Sequence, residues 1–327
     1  MAAFCPYCER RCVLTPGGRG FCEMYTLSRK DGQVVEVFPH RYSSIQVNPI
    51  ERLPFFHFYP GSRVLVLGGA GCNMDCDYCI NSYVVRGDPE EVLQFSLPPR
   101  RIISLAQELG CQSIAFAINE PTVALPSLLE LAEVAASQGL PVGIMTNGYA
   151  TAEATARMGR TFAFISVSLK SLKDEFCQEF LGVESVRAVL RNLEILVSLT
   201  HVEVVTPVVQ GLNDRELKDM AEFIFRLNPE IPWHIFRLQP EHRMARQRPP
   251  EIPPLAELVQ EVRTRLPYTY LGNFPGSQWV STLCPRCGKE VVSRLSLGGC
   301  GAQLVSLHLK GDSCAYCGFP LPFKIQE

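Results

Sequence analysis

The stretch GCNMDCDYCIN, residues 71–81, sets Cys72, Cys76 and Cys79 on one short loop. At this cysteine content a C-x3-C-x2-C run arises by chance in about one such chain in forty. Grouped thiolates of this kind bind metal. Cubane iron–sulfur clusters normally take four cysteine thiolates, one per iron, so three leave one iron able to bind something other than protein. An open corner of this sort holds a reacting molecule against the metal, as the open position of a catalytic zinc does. Gly68, Gly69 and Gly71 let the loop leave a strand tightly. Tyr78, just before the third thiol, offers a ring for an adenine-sized ligand. The competing readings are a zinc site completed by a distant ligand and a structural corner. A dinucleotide fingerprint fails, because Met74 stands where its third glycine belongs.

The chain holds fourteen cysteines in 327 residues. A chain of this size does not need disulfides to fold, and a reducing compartment would not keep them. C-x-x-C pairs occur at 5/8, 76/79, 284/287 and 314/317, where chance predicts about 0.6 of them. Cys284, Cys287, Cys314 and Cys317 form C-x2-C…C-x2-C, which reads as a structural zinc ribbon in preference to a second iron–sulfur cluster. Cys300 and His308, between the pairs, are spare candidates. Cys5, Cys8, Cys12 and Cys22 suit zinc, the favoured reading, or a second iron–sulfur cluster able to relay electrons. The isolated Cys111 and Cys177 read as small buried apolar residues.

Between the cysteine groups, short apolar strands alternate with amphipathic helices. RVLVLG (63–68), QSIAFAI, PVGIMT, FAFISVSL, HVEVVTPVV and PWHIFRL are the strands, and YTYLGN adds a further candidate. Helices are expected over 99–110, through VALPSLLELAEVAASQG and ATAEATARMG, along Val186, Val189, Leu190, Leu193 and Val197, and from Asn213, where Glu216 suggests a capping box. RQRPPEIPPLAE (246–257) reads as a surface connection or lid. The fold class is therefore α/β, a partial (β/α)6-type TIM barrel with chemistry on loops after the strands. The expected organisation is a cysteine-rich metal-binding segment over 1–60, the barrel over 61–278 and a zinc-ribbon-like module over 279–327. A net charge of −2 gives no reason to expect a nucleic-acid or membrane partner. No apolar run reaches transmembrane length, and MAAFCPYCERRCV lacks a secretory core, so a cytoplasmic location is expected.

With these residues in view, the sequence resembles the radical SAM superfamily, whose hallmark is C-x3-C-x-aromatic-C after the first barrel strand. HFYPGS and GCNMDCDYCIN are similar to the pyruvate formate-lyase activating enzyme group. INEPTV, MTNGY, SLKSLKDEF, GLND and WHIFRLQP follow in order, with CPYCERRC ahead and CPRCG behind. Together they most resemble the radical SAM enzymes of the AmmeMemoRadiSam system. The resemblance implies a 4Fe–4S cluster on Cys72, Cys76 and Cys79 that binds S-adenosylmethionine. It also implies one-electron reduction by a flavodoxin- or ferredoxin-type donor and a 5′-deoxyadenosyl radical that removes hydrogen from a substrate. It places Asn119, Glu120 and Pro121 at the ligand's amino group and Lys170, after Ser168, at its carboxylate. Thr146 and Asn147 close the third strand and face the site, or simply form a turn.

His234 and Arg237 are matched by the family's His-x-x-Arg and assigned pocket roles. Three apart on a strand, however, two side chains point to opposite faces. The expected function is radical hydrogen abstraction from an unidentified protein or small molecule. The alternatives are a glycyl-radical-enzyme activase and, from another class, a zinc-stapled interaction protein without catalysis.

Overall fold

The computed structural model describes residues 2–326. Its centre is an eight-stranded sheet of β1 (Ser44–Pro49), β2 (Arg63–Gly68), β3 (Ser113–Phe116), β4 (Val142–Thr146), β5 (Phe164–Ser168), β6 (His201–Val208), β7 (Trp233–Arg237) and β8 (Thr269–Gly272). Neighbours in the sheet follow chain order. The strands from β2 to β8 pair in parallel, and β1 lies antiparallel on β2. The path runs from β8 to β1 without closing, which makes a partial barrel. YTYLGN does supply a seventh parallel strand, β8. The antiparallel β1 is unforeseen: SIQVNP is half exposed and ends in Pro49, a composition an edge strand tolerates.

The inner strands are buried nearly end to end. That is why they read as continuous apolar runs: helices cover their outer faces and side chains fill the barrel. The crossovers are α1 (Pro99–Glu108), α2 (Leu125–Ala136), α3 (Ala152–Thr161), α4 (Arg187–Val197), α5 (Leu217–Leu227) and α6 (Ile252–Val262). Along α5, Leu217, Met220 and Ile224 face inward at helical spacing. Cys111 and Cys177 are both buried. No helix among the described residues is long and apolar enough to cross a membrane.

Two local expectations are corrected. Asn213 and Glu216 do not form a capping box. The Asn213 amide donates to the carbonyls of Lys170 and Pro207 and accepts the Val209 N–H, while Glu216 accepts from Ser171 and the Leu172 N–H. Both side chains are spent on joining the loop after β5 to the end of β6. The Pro-rich stretch is not wholly a surface connection either, because its prolines open α6. Proline suits a first helical turn, where its missing N–H would have no partner anyway.

The C-terminal module is built on β9 (Glu290–Leu297) and β10 (Gln303–Leu307), an antiparallel pair. It is fastened by a fully buried arginine. Arg294 donates to the Phe56 carbonyl (2.6 Å) and to the Thr282 hydroxyl (2.9 Å), and its guanidinium lies 4.2 Å from the Phe56 ring centroid. Beside it, Glu203 of β6 accepts N–H groups from Phe56 and His57 and faces the Nε2 atoms of His201 and His234.

His57 bonds Tyr270 through Nε2 (2.7 Å), and its Nδ1 has no partner among the described residues. Burial lowers its pKa to about 3, so the folded chain keeps this ring neutral. An unfolded histidine takes up a proton near pH 6.5. Stability from this group is therefore complete above about pH 6.5 and declines as pH falls towards 3. Urea unfolding between pH 7.5 and 5.5 should show wild type losing more stability than His57→Gln, by at most about 1.4 kcal/mol per pH unit. Parallel pH profiles for the two chains would show that His57 is not held neutral.

Candidate functional site

The cysteine loop leaves β2 at the C-terminal end of the sheet, where loops of a (β/α) barrel carry chemistry. Gly71 turns it with φ +75°, and a Cβ there would lie 2.5 Å from the Cys22 carbonyl, so glycine is required twice over. The Asn119 side chain then clamps the backbone. It accepts the Gly69 N–H (2.7 Å) and donates to the carbonyls of Ala70 (2.9 Å) and Gly71 (3.0 Å). Further along, the Asp75 and Asp77 N–H groups bond Leu181 and Phe180 carbonyls, and Arg86 and Arg243 pair with Asp75.

Cys72, Cys76 and Cys79 line one cleft of about 280 Å³ together with Tyr78, Asn119, Glu120, Thr146, Asn147, Ser168, Lys170 and Arg237. Burial pushes the Cys76 thiol up to about 11, and the Lys170 ammonium opposes that push. Burial likewise raises the Cys72 and Cys79 thiols. Glu120 is buried, which raises its carboxyl, yet it accepts the Asn147 N–H (2.7 Å), the Thr146 hydroxyl (2.9 Å) and the Thr122 N–H (3.1 Å). The Thr146–Asn147 turn therefore fixes Glu120, and the Asn147 amide also reaches Cys72 Sγ at 3.6 Å. Tyr78 is buried against Phe176, with ring centroids 6.5 Å apart.

Two residues singled out from sequence are not brought to the cleft. His234 is wholly buried at the opposite end of β7, with Nε2 2.7 Å from Glu203 and its ring stacked on Tyr270. Depth along the strand decides the matter: His234 lies near the start of β7 at the barrel floor, whereas Phe236, Arg237 and Leu238 at its C-terminal end line the cleft. Pro121 starts a buried 3-10 turn behind Glu120 and lies outside the lining.

Other residues take roles that the sequence did not suggest, among them Cys300, read there only as a spare candidate for the C-terminal metal. Cys300 reaches the same cleft from the C-terminal module. The glycines around it were the signal: Gly301 has φ +69°, and a Cβ there would lie 2.0 Å from the Glu51 carbonyl. Asn73 bonds Thr122, Tyr149 and Asn147. Asn81 donates to the carbonyl of Ile118 (2.6 Å), a β-branched cleft residue at φ +78° and so a strained one.

The remaining cysteines form two sets. Cys284 Sγ lies 3.7 Å from Cys317 Sγ, and Cys287 Sγ 3.8 Å from Cys314 Sγ, an arrangement able to hold a metal ion. His308 faces Ser306 and Tyr316 instead. Cys5, Cys8, Cys12 and Cys22 line a second cavity against the barrel mouth.

With this geometry in hand, comparison with known proteins is direct. The sequence profile of the Radical SAM superfamily matches residues 66–224. The chain thus carries a radical SAM domain, which indicates an enzyme of radical chemistry. It is 28% identical over 320 residues to an uncharacterized protein of Methanocaldococcus jannaschii, covering 96% of this chain and 93% of that one. A probable GTP 3′,8-cyclase of Thermococcus kodakarensis is 30% identical over 159 residues, spanning 46% of this chain and 49% of that protein.

Among solved structures, Streptococcus suis SuiB bound to S-adenosylmethionine superposes with a TM-score of 0.50 at 13% identity, over 66% of this chain and 49% of SuiB. This chain thus spans about half of SuiB. TYW1 with a lysine-pyruvate adduct also superposes at 0.50 and 15% identity, over 83% of this chain and 92% of that one. At such identities the likeness is one of fold. A domain of this superfamily implies a 4Fe–4S cluster, S-adenosylmethionine, a reductant and a substrate.

Because every polar atom of the Asn119 amide is spent on loop backbone, Asn119→Ala should lower the unfolding free energy by about 2 kcal/mol, the cost of orphaning buried backbone groups. Urea denaturation measures it. Unchanged stability with weakened S-adenosylmethionine binding would move Asn119 from the scaffold to the ligand.

Proposed function

We propose that Cys72, Cys76 and Cys79 hold the 4Fe–4S cluster and leave one iron for S-adenosylmethionine. The carrying observation is the convergence of three thiols, a buried acid and a lysine in one cleft at the C-terminal ends of parallel strands. When bound, the pair supplies reductive cleavage of the sulfonium to a 5′-deoxyadenosyl radical, which takes a hydrogen atom from the substrate. The chain's own residues bind, orient and shield. Glu120, positioned by three donors, offers its carboxylate to the ligand's amino group. Lys170 offers a cation to its carboxylate from a loop anchored by Asn213. Tyr78 supplies a flat apolar wall. Ile118, Phe236 and Leu238 line the cleft and exclude water, which strengthens each of these polar contacts. Arg237, tied by Nε to the Pro250 carbonyl (2.5 Å), lies among the lining residues beyond β7.

The same reading gives zinc to the C-terminal quartet. Four sulfurs at about 2.3 Å from one ion lie about 3.8 Å apart along tetrahedral edges, and the observed separations are 3.7 and 3.8 Å. The electron donor is a low-potential protein of flavodoxin or ferredoxin type, and the substrate is a protein or small molecule that fills the rest of the cleft. The parts remain the cysteine-rich segment (1–60), the barrel (61–278) and the zinc module (279–327), and the likeness to the AmmeMemoRadiSam enzymes supports this order.

Two variants test the reading in anaerobically purified protein. Cys76→Ala should lose about four iron atoms per chain and, with them, reductive formation of 5′-deoxyadenosine. Lys170→Met should keep its iron but bind S-adenosylmethionine about tenfold more weakly, the effect of one charge-assisted hydrogen bond. Cleavage surviving in Cys76→Ala, or unaltered binding in Lys170→Met, would contradict the assignment.

A further inference from the structure

The N-terminal cysteines are arranged differently from the C-terminal ones. Among the described residues, the C-terminal quartet is the only set of three or more His, Cys, Asp or Glu side chains whose ligand atoms lie within 4.8 Å of one another. Cys5, Cys8, Cys12 and Cys22 share one enclosed cavity without reaching that spacing. They resemble Cys72, Cys76 and Cys79 in this, which also line one cavity and also stand further apart. A single zinc ion draws its four sulfurs to tetrahedral edges of about 3.8 Å. A cubane carries each thiolate on a different iron and holds them wider.

Among these thiols, Cys12 Sγ accepts the Phe21 N–H at 3.5 Å. Cys72 accepts the Met74 N–H in the same way. Hydrogen bonds to sulfur are among the levers that set a cluster's potential. The rest of the cavity wall joins Leu14, Phe21 and Val123 with Tyr7 and Tyr25, whose rings stack at 4.5 Å, and with the polar Arg10, Asn73 and Thr122.

Its location gives the site a purpose. Cys8 forms a β-bridge with Ala150, and Thr151, which caps α3, donates to the Pro6 carbonyl (2.8 Å). The segment is thus fixed to the barrel mouth. Asn73, next to Cys72, lines the N-terminal cavity, and the Asn147 amide touches both Asn73 Oδ1 (2.7 Å) and Cys72 Sγ (3.6 Å). The Cys22 carbonyl packs against Gly71, one residue before Cys72. Asn73 therefore borders both thiol sets. Cys5 and Cys8 are buried, while Cys12 and Cys22 are partly exposed.

We propose that Cys5, Cys8, Cys12 and Cys22 hold a second iron–sulfur cluster, not zinc, that passes electrons inward to the cluster on Cys72, Cys76 and Cys79. The proposal rests on the reading of that inner set given above. An external one-electron donor of ferredoxin or flavodoxin type is oxidised as the outer cluster is reduced. The outer cluster is then reoxidised as the inner one is reduced. One electron moves at each stage, and no bond or proton changes place.

The test uses the full chain, prepared without air. Wild type should contain about eight iron and eight sulfide per chain with about one zinc, and should take up about two electrons in a reductive titration. Its fully reduced paramagnetic spectrum should show two neighbouring centres broadening each other. Cys72→Ser/Cys76→Ser/Cys79→Ser should keep about half the iron, with a signal indifferent to S-adenosylmethionine. Cys12→Ser/Cys22→Ser should lose the other half and retain a signal that responds, with its C-terminal zinc showing that it has folded. About four iron and two zinc in wild type, with one zinc lost from Cys12→Ser/Cys22→Ser, would overturn the proposal and leave the inner set as read. Iron that survives the triple substitution undiminished would overturn the relay through failure of the inner assignment, visible as such. The wild-type metal count decides even if a variant does not fold.

Discussion

Thiols on a flexible loop bind metal but cannot aim it. Everything in this structure depends on fixing the backbone of residues 69–79 where the barrel strands end. The Asn119 amide takes the loop at its start, the 180–181 carbonyls take its middle, and Arg86 and Arg243 hold Asp75 from outside. These interactions use groups that would otherwise be buried without partners, and leaving such groups unpaired costs more than pairing them gains. The loop therefore has little freedom to relax, and the three thiols stay together in surroundings that disfavour their charge until a metal is present.

The flanking cysteine segments become intelligible from the same constraint. The N-terminal segment packs against the loop, with the Cys22 backbone against Gly71 and Asn73 of the loop lining the N-terminal cavity. The C-terminal module is bolted to the far end of the sheet by Arg294, yet its glycine-flanked Cys300 returns to the cleft. A module that looks like an independent appendage thus contributes to the wall of the site. The barrel floor, with Glu203 receiving four donors, is polar and buried but takes no part in the cleft.

What was legible in the sequence follows from how each residue acts. The cysteines could be read because thiol chemistry depends on type and spacing, and the strands because burial on both faces demands unbroken apolar runs. Asn119 could not, since an amide that clamps backbone has the same sequence signature as one that touches a ligand. For His234 and Arg237 the family pattern placed both in the pocket, whereas their depth along β7 separates them, a position that spacing alone does not give. Asn213 and Glu216 sat at capping-box spacing but were claimed by the neighbouring loop, a tertiary competitor no local pattern reveals. Cys300 reaches the cleft through a contact between distant parts of the chain, with only its glycines as a clue.

The most direct test of the central claim is electron–nuclear double resonance on the reduced, full-length protein with S-adenosylmethionine labelled at its amino nitrogen and carboxylate oxygen. The account predicts that both labelled atoms couple strongly to the cluster, as only direct attachment to its unclaimed iron allows. Absence of both couplings, with a fourth thiolate such as Cys300 bound at that corner instead, would contradict it.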